Sequence, residues 1–178
     1  MKQLVNTVLV IGLCLLLTAC GFHMRGADSA GIPADRVYLD IGGSGDTGRE
    51  VREQLQLTDT VLTETAEESE YILRVTNQQY NRSVLSVSPR TGKVEEYELT
   101  QSVLLSVATP QGETLVSNER ISASRDYIFD ETAVIASGDE QQLLREEMTR
   151  QIANLALLRA RSAIHNHQQQ QAATAAAD

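Results

Sequence analysis

Tryptophan is absent from this 178-residue chain, and only three histidines, two cysteines and two phenylalanines are present. The histidines are His23, near the N-terminus, and His165 and His167, at the start of a low-complexity tail. The cysteines, Cys14 and Cys20, both lie near the N-terminus. The body of the chain therefore offers no imidazole to activate a serine, no thiol nucleophile and no soft metal ligand. Carboxylates cluster at Glu67, Glu68 and Glu70 and again at Glu95, Glu96 and Glu98, but they fall in loops or on a solvent-facing parity. A catalytic pair needs one of its members desolvated. No enzyme is expected, and no cofactor or metal. His165-Asn166-His167 reads as a solvated pair on a fraying tail. Basic charge is also scarce. Lysine and arginine total 15 against 24 acidic residues, a net charge of −9, which excludes nucleic-acid binding through the overall field.

Long apolar runs are missing except for one. Leu4 to Leu17 is almost wholly apolar, with Lys2 the only charge ahead of it and small Ala19 behind it, the order of a secretory signal. The run is about 14 residues, short of the roughly 20 that cross a bilayer. Leu17-Thr18-Ala19-Cys20 resembles the bacterial lipobox, which implies cleavage before Cys20 and acyl chains on that cysteine. A signal peptide followed by an incidental cysteine is the alternative. Cleavage also removes Cys14, so no disulfide can form. Each buried acyl CH₂ contributes about 0.8 kcal/mol, so two or three chains hold the protein at a membrane. Gly21 after the cysteine favours the outer membrane. Residues 1–19 are thus expected as a removed signal peptide and 20–35 as a lipidated tether.

Arg36 to Ile41 alternates as a short strand. Gly42-Gly43-Ser44-Gly45-Asp46 then lies between strand and helix like a phosphate loop, but it lacks the Gly-Lys-Ser/Thr ending of one, so a flexible turn is expected. Thr47 to Leu57 reads as a helix capped by Asp46 or Thr47, with Val51 and Leu55 on one face. From Tyr71 the period becomes two, running through Leu73 and Val75 and on through Tyr80, Arg82, Val84 and Ser86. Pro89-Arg90-Thr91-Gly92 is a turn. Tyr97, Leu99, Val103, Leu105 and Val107 then alternate with Glu96, Glu98, Thr100, Ser102 and Ser106. Beyond Pro110-Gln111-Gly112, Leu115, Ile121, Ala123, Tyr127 and Phe129 share one parity. A last helix opens at Asp139-Glu140, with an apolar stripe through Leu144, Met148, Ile152 and Leu155 to Arg159, widened by Leu143 and Leu158.

The expected order is β-α-β-β-β-α. It describes an α+β two-layer sandwich over residues 36–165, a mostly antiparallel four-stranded sheet with two helices on one face. Residues 166–178, rich in Gln and Ala, read as a disordered tail. Tyr80, Tyr97 and Tyr127 read as core rather than as a ligand groove. Arg90 and Lys93 flank the first hairpin turn, with Arg82 near the same end of its strand. Together they form either a small anion site on an otherwise acidic domain or a merely solvated hairpin tip.

Four segments taken in order resemble the LptE family of lipopolysaccharide-assembly lipoproteins. They are Cys20-Gly21-Phe22-His23-Met24-Arg25-Gly26, the hairpin from Arg90 to Leu99, Arg125-Asp126-Tyr127-Ile128-Phe129-Asp130, and Glu140 to Met148. The resemblance implies a sheet backed by two helices and an outer-membrane lipoprotein that plugs the LptD β-barrel as a heterodimer. It also implies aid to assembly of that barrel and binding of lipopolysaccharide. A basic residue at the position of Arg90 is implicated in that binding. Ala136-Ser137-Gly138-Asp139, where some members carry a lysine, has no cation here. The competing class is a stand-alone lipid- or ligand-binding envelope lipoprotein, or an auxiliary subunit of another envelope transporter.

Overall fold

Three long strands set the frame. In the computed structural model, which describes residues 31–129 and 134–176, β1 spans Arg36–Asp40, β2 Val61–Thr63, β3 Tyr71–Val87, β4 Val94–Ala108 and β5 Thr114–Ile128. Two helices complete it, α1 over Gly45–Gln56 and α2 over Val134–Ala175. Cys20, the signal segment and most of the tether lie outside the described residues. The sheet order is β2-β1-β3-β4-β5. β1 runs parallel to both β2 and β3, whereas β3, β4 and β5 form an antiparallel meander. The sheet thus has five strands, not four. The added strand is the three-residue β2, whose first residue, Val61, is exposed. So short a segment carries no periodicity to detect.

The hairpin turns follow from their residues. Gly92 closes the β3–β4 turn at φ +71°, a conformation that costs glycine little, and its N–H donates to Ser88 O at 2.8 Å. Asn77 at φ +53° and Asn118 at φ +44° mark bulges, since asparagine tolerates the left-handed region better than most residues. At Asn77 the inward parity of β3 changes from Tyr71, Leu73 and Val75 to Tyr80, Arg82 and Val84. At Asn118 it changes again on β5, so Val116 is buried where Leu115 was expected. Ser106 pins this second bulge, its hydroxyl donating to Asn118 Oδ1 and accepting from Asn118 N.

Both helices pack on one sheet face. From the sheet, Leu73, Val75, Leu99, Val103, Leu105 and Val107 enter the core. α1 adds Val51 and Leu55, and α2 adds Met148, Ile152, Ala156, Ala160 and Ile164. Fully burying each larger side chain contributes about 1.5–3 kcal/mol. Gly48 lets the chain leaving β1 lie against α1, because a Cβ there would stand 2.8 Å from Ile41 Cβ and 1.9 Å from Ser44 Oγ. Gln101 sits fully buried among these groups. Its Nε2 donates at 3.0 Å to Thr47 Oγ1 on α1 and at 3.0 Å to Thr149 Oγ1 on α2, joining both helices to the sheet.

α2 differs from expectation in three ways. It begins at Val134 rather than Asp139. Its covering face advances through Met148, Ile152, Ala156 and Ala160 to Ile164, which leaves Leu143, Leu155 and Leu158 exposed. The helix also continues through residues 166–175, which were expected to be disordered. Alanine and glutamine are good helix formers, and the extension has two anchors. His167 is buried against the sheet, and Gln168 Nε2 donates to Pro33 O at 2.7 Å. α1 likewise begins ahead of Thr47. Ser44 is its N-cap position and makes no side-chain cap bond.

Candidate functional site

The expected anion site lies at the β3–β4 hairpin tip. Ser88 N–H donates to Lys93 O at 2.8 Å, closing a turn on which Arg90 and Lys93 are both exposed. Lys93 N–H also donates to Thr91 Oγ1 at 3.4 Å. Among the described residues Arg90 makes no ion pair. The structure brings these two cations onto one tight turn and leaves Arg82 apart. Arg82 pairs with Leu99, five residues before the last ladder pair, Val87 with Val94. That is about 17 Å at roughly 3.3 Å per residue.

Arg82 belongs to a second constellation at the root of the hairpin. Its guanidinium stacks 4.6 Å from the ring centroid of Tyr97 and donates to Gln141 Oε1 at 3.4 Å. Tyr97 stacks on Tyr127 with centroids 5.7 Å apart and meets Phe129 edge-on at 5.4 Å. Gln141, in the third turn of α2, gathers the group. Its Oε1 accepts from Tyr127 Oη at 3.2 Å, and its Nε2 donates to Tyr80 Oη at 3.0 Å. Arg145 stacks 4.9 Å above Tyr80 and lies 3.7 Å from Asp46. Tyr127 is core, as expected, whereas Tyr80 and Tyr97 are half-buried against the core and each carries a cation on its other side. Gln141 and Arg145 were not singled out from the sequence. Their only signal was helical spacing on a face read as polar.

The other candidates resolve into structural contacts. Gln78 Oε1 accepts from Thr47 N–H at 3.1 Å, so the first turn of α1 is capped from the sheet rather than open to a phosphate. A groove of ≈ 630 Å³ between the helices is lined by both signs of charge, including Asp46, Glu50, Arg145 and Arg150. Arg49 and Arg145 both reach Asp46 there. No group of three His, Cys, Asp or Glu side chains that could hold a metal occurs among the described residues. His165 and His167 do not act together. The first accepts or donates locally with Gln169, and the second faces Tyr71 and Glu113.

Among the described residues no helix covers the outer face of the sheet. By register, Glu96, Glu98, Thr100, Ser102 and Ser106 of β4 share it with Asn81 and Ser83 of β3 and with Ser122, Ser124 and Asp126 of β5. Leu104 and the exposed Ile128 interrupt it, but Ser83 donates to Glu98 at 3.4 Å and Ser86 to Glu96 at 2.9 Å, so the face is mainly a hydroxyl and carboxylate surface with internal order.

This sandwich and its sequence match one family. The family model described as LptE, lipopolysaccharide-assembly, covers residues 34–160. The chain belongs to the LptE family. The LPS-assembly lipoprotein LptE of Photorhabdus laumondii is 31% identical over 168 residues, covering 92% of this chain and 89% of its own. That of Pectobacterium atrosepticum is 33% identical over 150 residues, covering 82% and 79%. The crystal structure of rare lipoprotein B from Shewanella oneidensis superposes with a TM-score of 0.65 at 32% identity, covering 75% of this chain and 98% of that one. The chain is thus an LptE-family lipoprotein of lipopolysaccharide assembly, and the α+β fold expected of the family is the one observed.

Proposed function

We propose that this lipoprotein is anchored in the outer membrane through acyl chains on Cys20 and works without catalysis, as plug and assembly factor of an LptD-type β-barrel. It binds lipopolysaccharide there on the way to the outer leaflet. The observation that carries this reading is the sheet face that bears no helix among the described residues. Ser, Thr, Glu and Asp side chains spread over three long strands suit the polar lumen of a barrel better than they suit a lipid or a small substrate. The hairpin tip adds Arg90 and Lys93, two cations on one turn of an otherwise acidic chain. Arginine can grip a phosphate with two parallel hydrogen bonds, and lipopolysaccharide presents phosphates on its lipid A and core. Screening within about 10 Å keeps the overall negative charge from opposing that contact. Arg82, committed to Tyr97 and Gln141, would act on the ligand only by holding the hairpin.

Isolation of the tagged full-length lipoprotein from outer membranes tests the partnership. A β-barrel recovered in equal amount, identified by mass, supports it. A monomer carrying extractable phospholipid overturns it in favour of a stand-alone lipid-binding lipoprotein.

A further inference from the structure

β3 changes neighbours half-way along its length. Its parallel ladder with β1 ends at Asp40 opposite Arg74, and the last main-chain group held on that side is Gln78 N–H, which donates to Gly43 O at 2.9 Å. From there to Val87, β3 is paired only with β4 among the described residues. The phase of the antiparallel ladders determines which groups are left over. Phe129 N–H donates to Glu95 O at 2.9 Å, so alternate residues Tyr97, Leu99 and Gln101 exchange bonds with β5. Glu98, Thr100 and Ser102 then exchange with Ser83, Asn81 and Gln79. Tyr80, Arg82 and Val84 aim their N–H and C=O groups at the open side.

This edge is only lightly protected. Residues 79–87 contain no proline and no lysine, Arg82 is their one charge, their ladder irregularities fall beyond Val84, and Val84, Leu85 and Val87 are 52%, 50% and 52% exposed. We infer that the open edge of β3 from Tyr80 to Val84 takes up an extended segment of the barrel partner by strand addition. This rests on the partnership proposed above.

The chemistry of the edge selects the occupant. Alternating donors and acceptors call for another peptide backbone, which an acyl chain cannot supply. A second copy of this chain is disfavoured. The midpoint of the outward-facing residues Tyr80, Arg82 and Val84 is Arg82, so antiparallel self-pairing centred there sets Arg82 opposite its own copy, and like charges across a ladder repel. Arg82 within the edge, Arg145 above Tyr80 and Arg90 at the tip instead favour a segment that alternates apolar residues with carboxylates. The wall strands of a closed barrel have no free edge, so the segment comes from a barrel loop or a terminal arm.

Residue-resolved amide hydrogen exchange tests the inference, on the full-length lipoprotein alone and in its co-isolated complex. Exchange at Tyr80, Arg82 and Val84 should slow by about tenfold or more in the complex, whereas Gln79, Asn81 and Ser83 are protected in both states. Val84→Pro removes one outward N–H and should cut co-isolation by about fivefold, while Val84→Thr, which keeps it, should not. Should Val84→Pro fail to fold, the exchange comparison on the parent protein decides alone. A barrel that co-isolates with those three amides exchanging as in the free protein overturns strand addition and leaves the partnership standing. Protection of the same amides by lipopolysaccharide micelles without the barrel also overturns it. Absence of any barrel overturns the partnership and strand addition with it.

Discussion

The imidazole of His167 stands edge-on to the ring of Tyr71, 96 residues earlier in the chain, with centroids 5.8 Å apart at 85°. The tyrosine hydroxyl lies 3.2 Å from Nδ1, and Glu113 Oε2 lies 3.1 Å from Nε2, so the ring is held on both nitrogens. This one buried polar contact joins the far end of α2 to β3 and to the β4–β5 turn. With Gln168 on Pro33 O, it anchors the extension of the helix past residue 165.

His167→Ala should therefore cost about 1–3 kcal/mol, because it leaves Tyr71 Oη without this partner in a buried site. Denaturant unfolding measures the loss, and amide exchange should show residues 168–175 opening ahead of the rest. Unchanged exchange there would mean that Gln168 and the helix's own propensity hold the segment.

The phenol of Tyr71 adds an alkaline signature. Burial pushes its pKa above the ordinary 10.0, with Glu70 and Glu113 acting in the same direction and a hydrogen bond with Gln168 opposing them. The fold thus holds the proton more tightly than the unfolded chain does. The stability this supplies is complete below about pH 10 and is lost as pH rises through the folded value. Tyr71→Phe should give a shallower decline in denaturant midpoint between about pH 9 and 11. Equal slopes for the two proteins would refute the assignment.

Met148 is fully buried between α2 and the sheet, and Leu158, on the same helix, is 62% exposed. Met148→Ala should cost on the order of 2–4 kcal/mol through an unfilled cavity, and Leu158→Ala less than about 0.5 kcal/mol. Comparable losses at both positions would mean that the covering face is misassigned.

At the hairpin, Arg90→Glu together with Lys93→Glu should weaken lipopolysaccharide binding, and the loss should shrink as salt rises. Stability should shift by less than about 0.5 kcal/mol, as for other surface changes. Arg82→Ala should behave differently, lowering stability by about 0.5–1 kcal/mol as the contact with Tyr97 is lost. Titration of lipopolysaccharide at two salt concentrations, alongside thermal melts, separates the two. Parental binding by the double variant at low salt would reduce the tip to a solvated turn.

Much of the fold was legible because β4 keeps one parity from Tyr97 to Val107, broken in character only by Gln101 inside and Leu104 outside, and one parity fixes which face is core. The flanking strands were read less well. Asn77 and Asn118 each insert a residue that flips the parity beyond it, and an asparagine within a strand does not announce a bulge. The tail was missed for a different reason. Ala156, Ala160, Ala163, Ile164 and His167 continue the helical spacing of Met148 and Ile152, but alanines carry a weak apolar signal beside a run of glutamines. Arg90 and Lys93 were placed correctly on one turn because Pro89 and Gly92 specify it. The departure of Arg82 was not legible, since its stacking on Tyr97 arises from cross-strand register.

α2 follows every strand in the chain, yet it covers the apolar face that β3, β4 and β5 build. From Gln141 to His167 it runs about 39 Å at roughly 1.5 Å per residue, fastened at one end to Tyr80 and Tyr127 and at the other to Tyr71. During synthesis the meander is complete before this helix exists. Leu73, Val75, Leu99, Val103 and Leu105 stay open to proteases and holding chaperones until the final quarter of the chain arrives. Molecules truncated after Phe129 would present a sticky sheet and be degraded, so the last helix serves as the receipt that the whole polypeptide has been delivered.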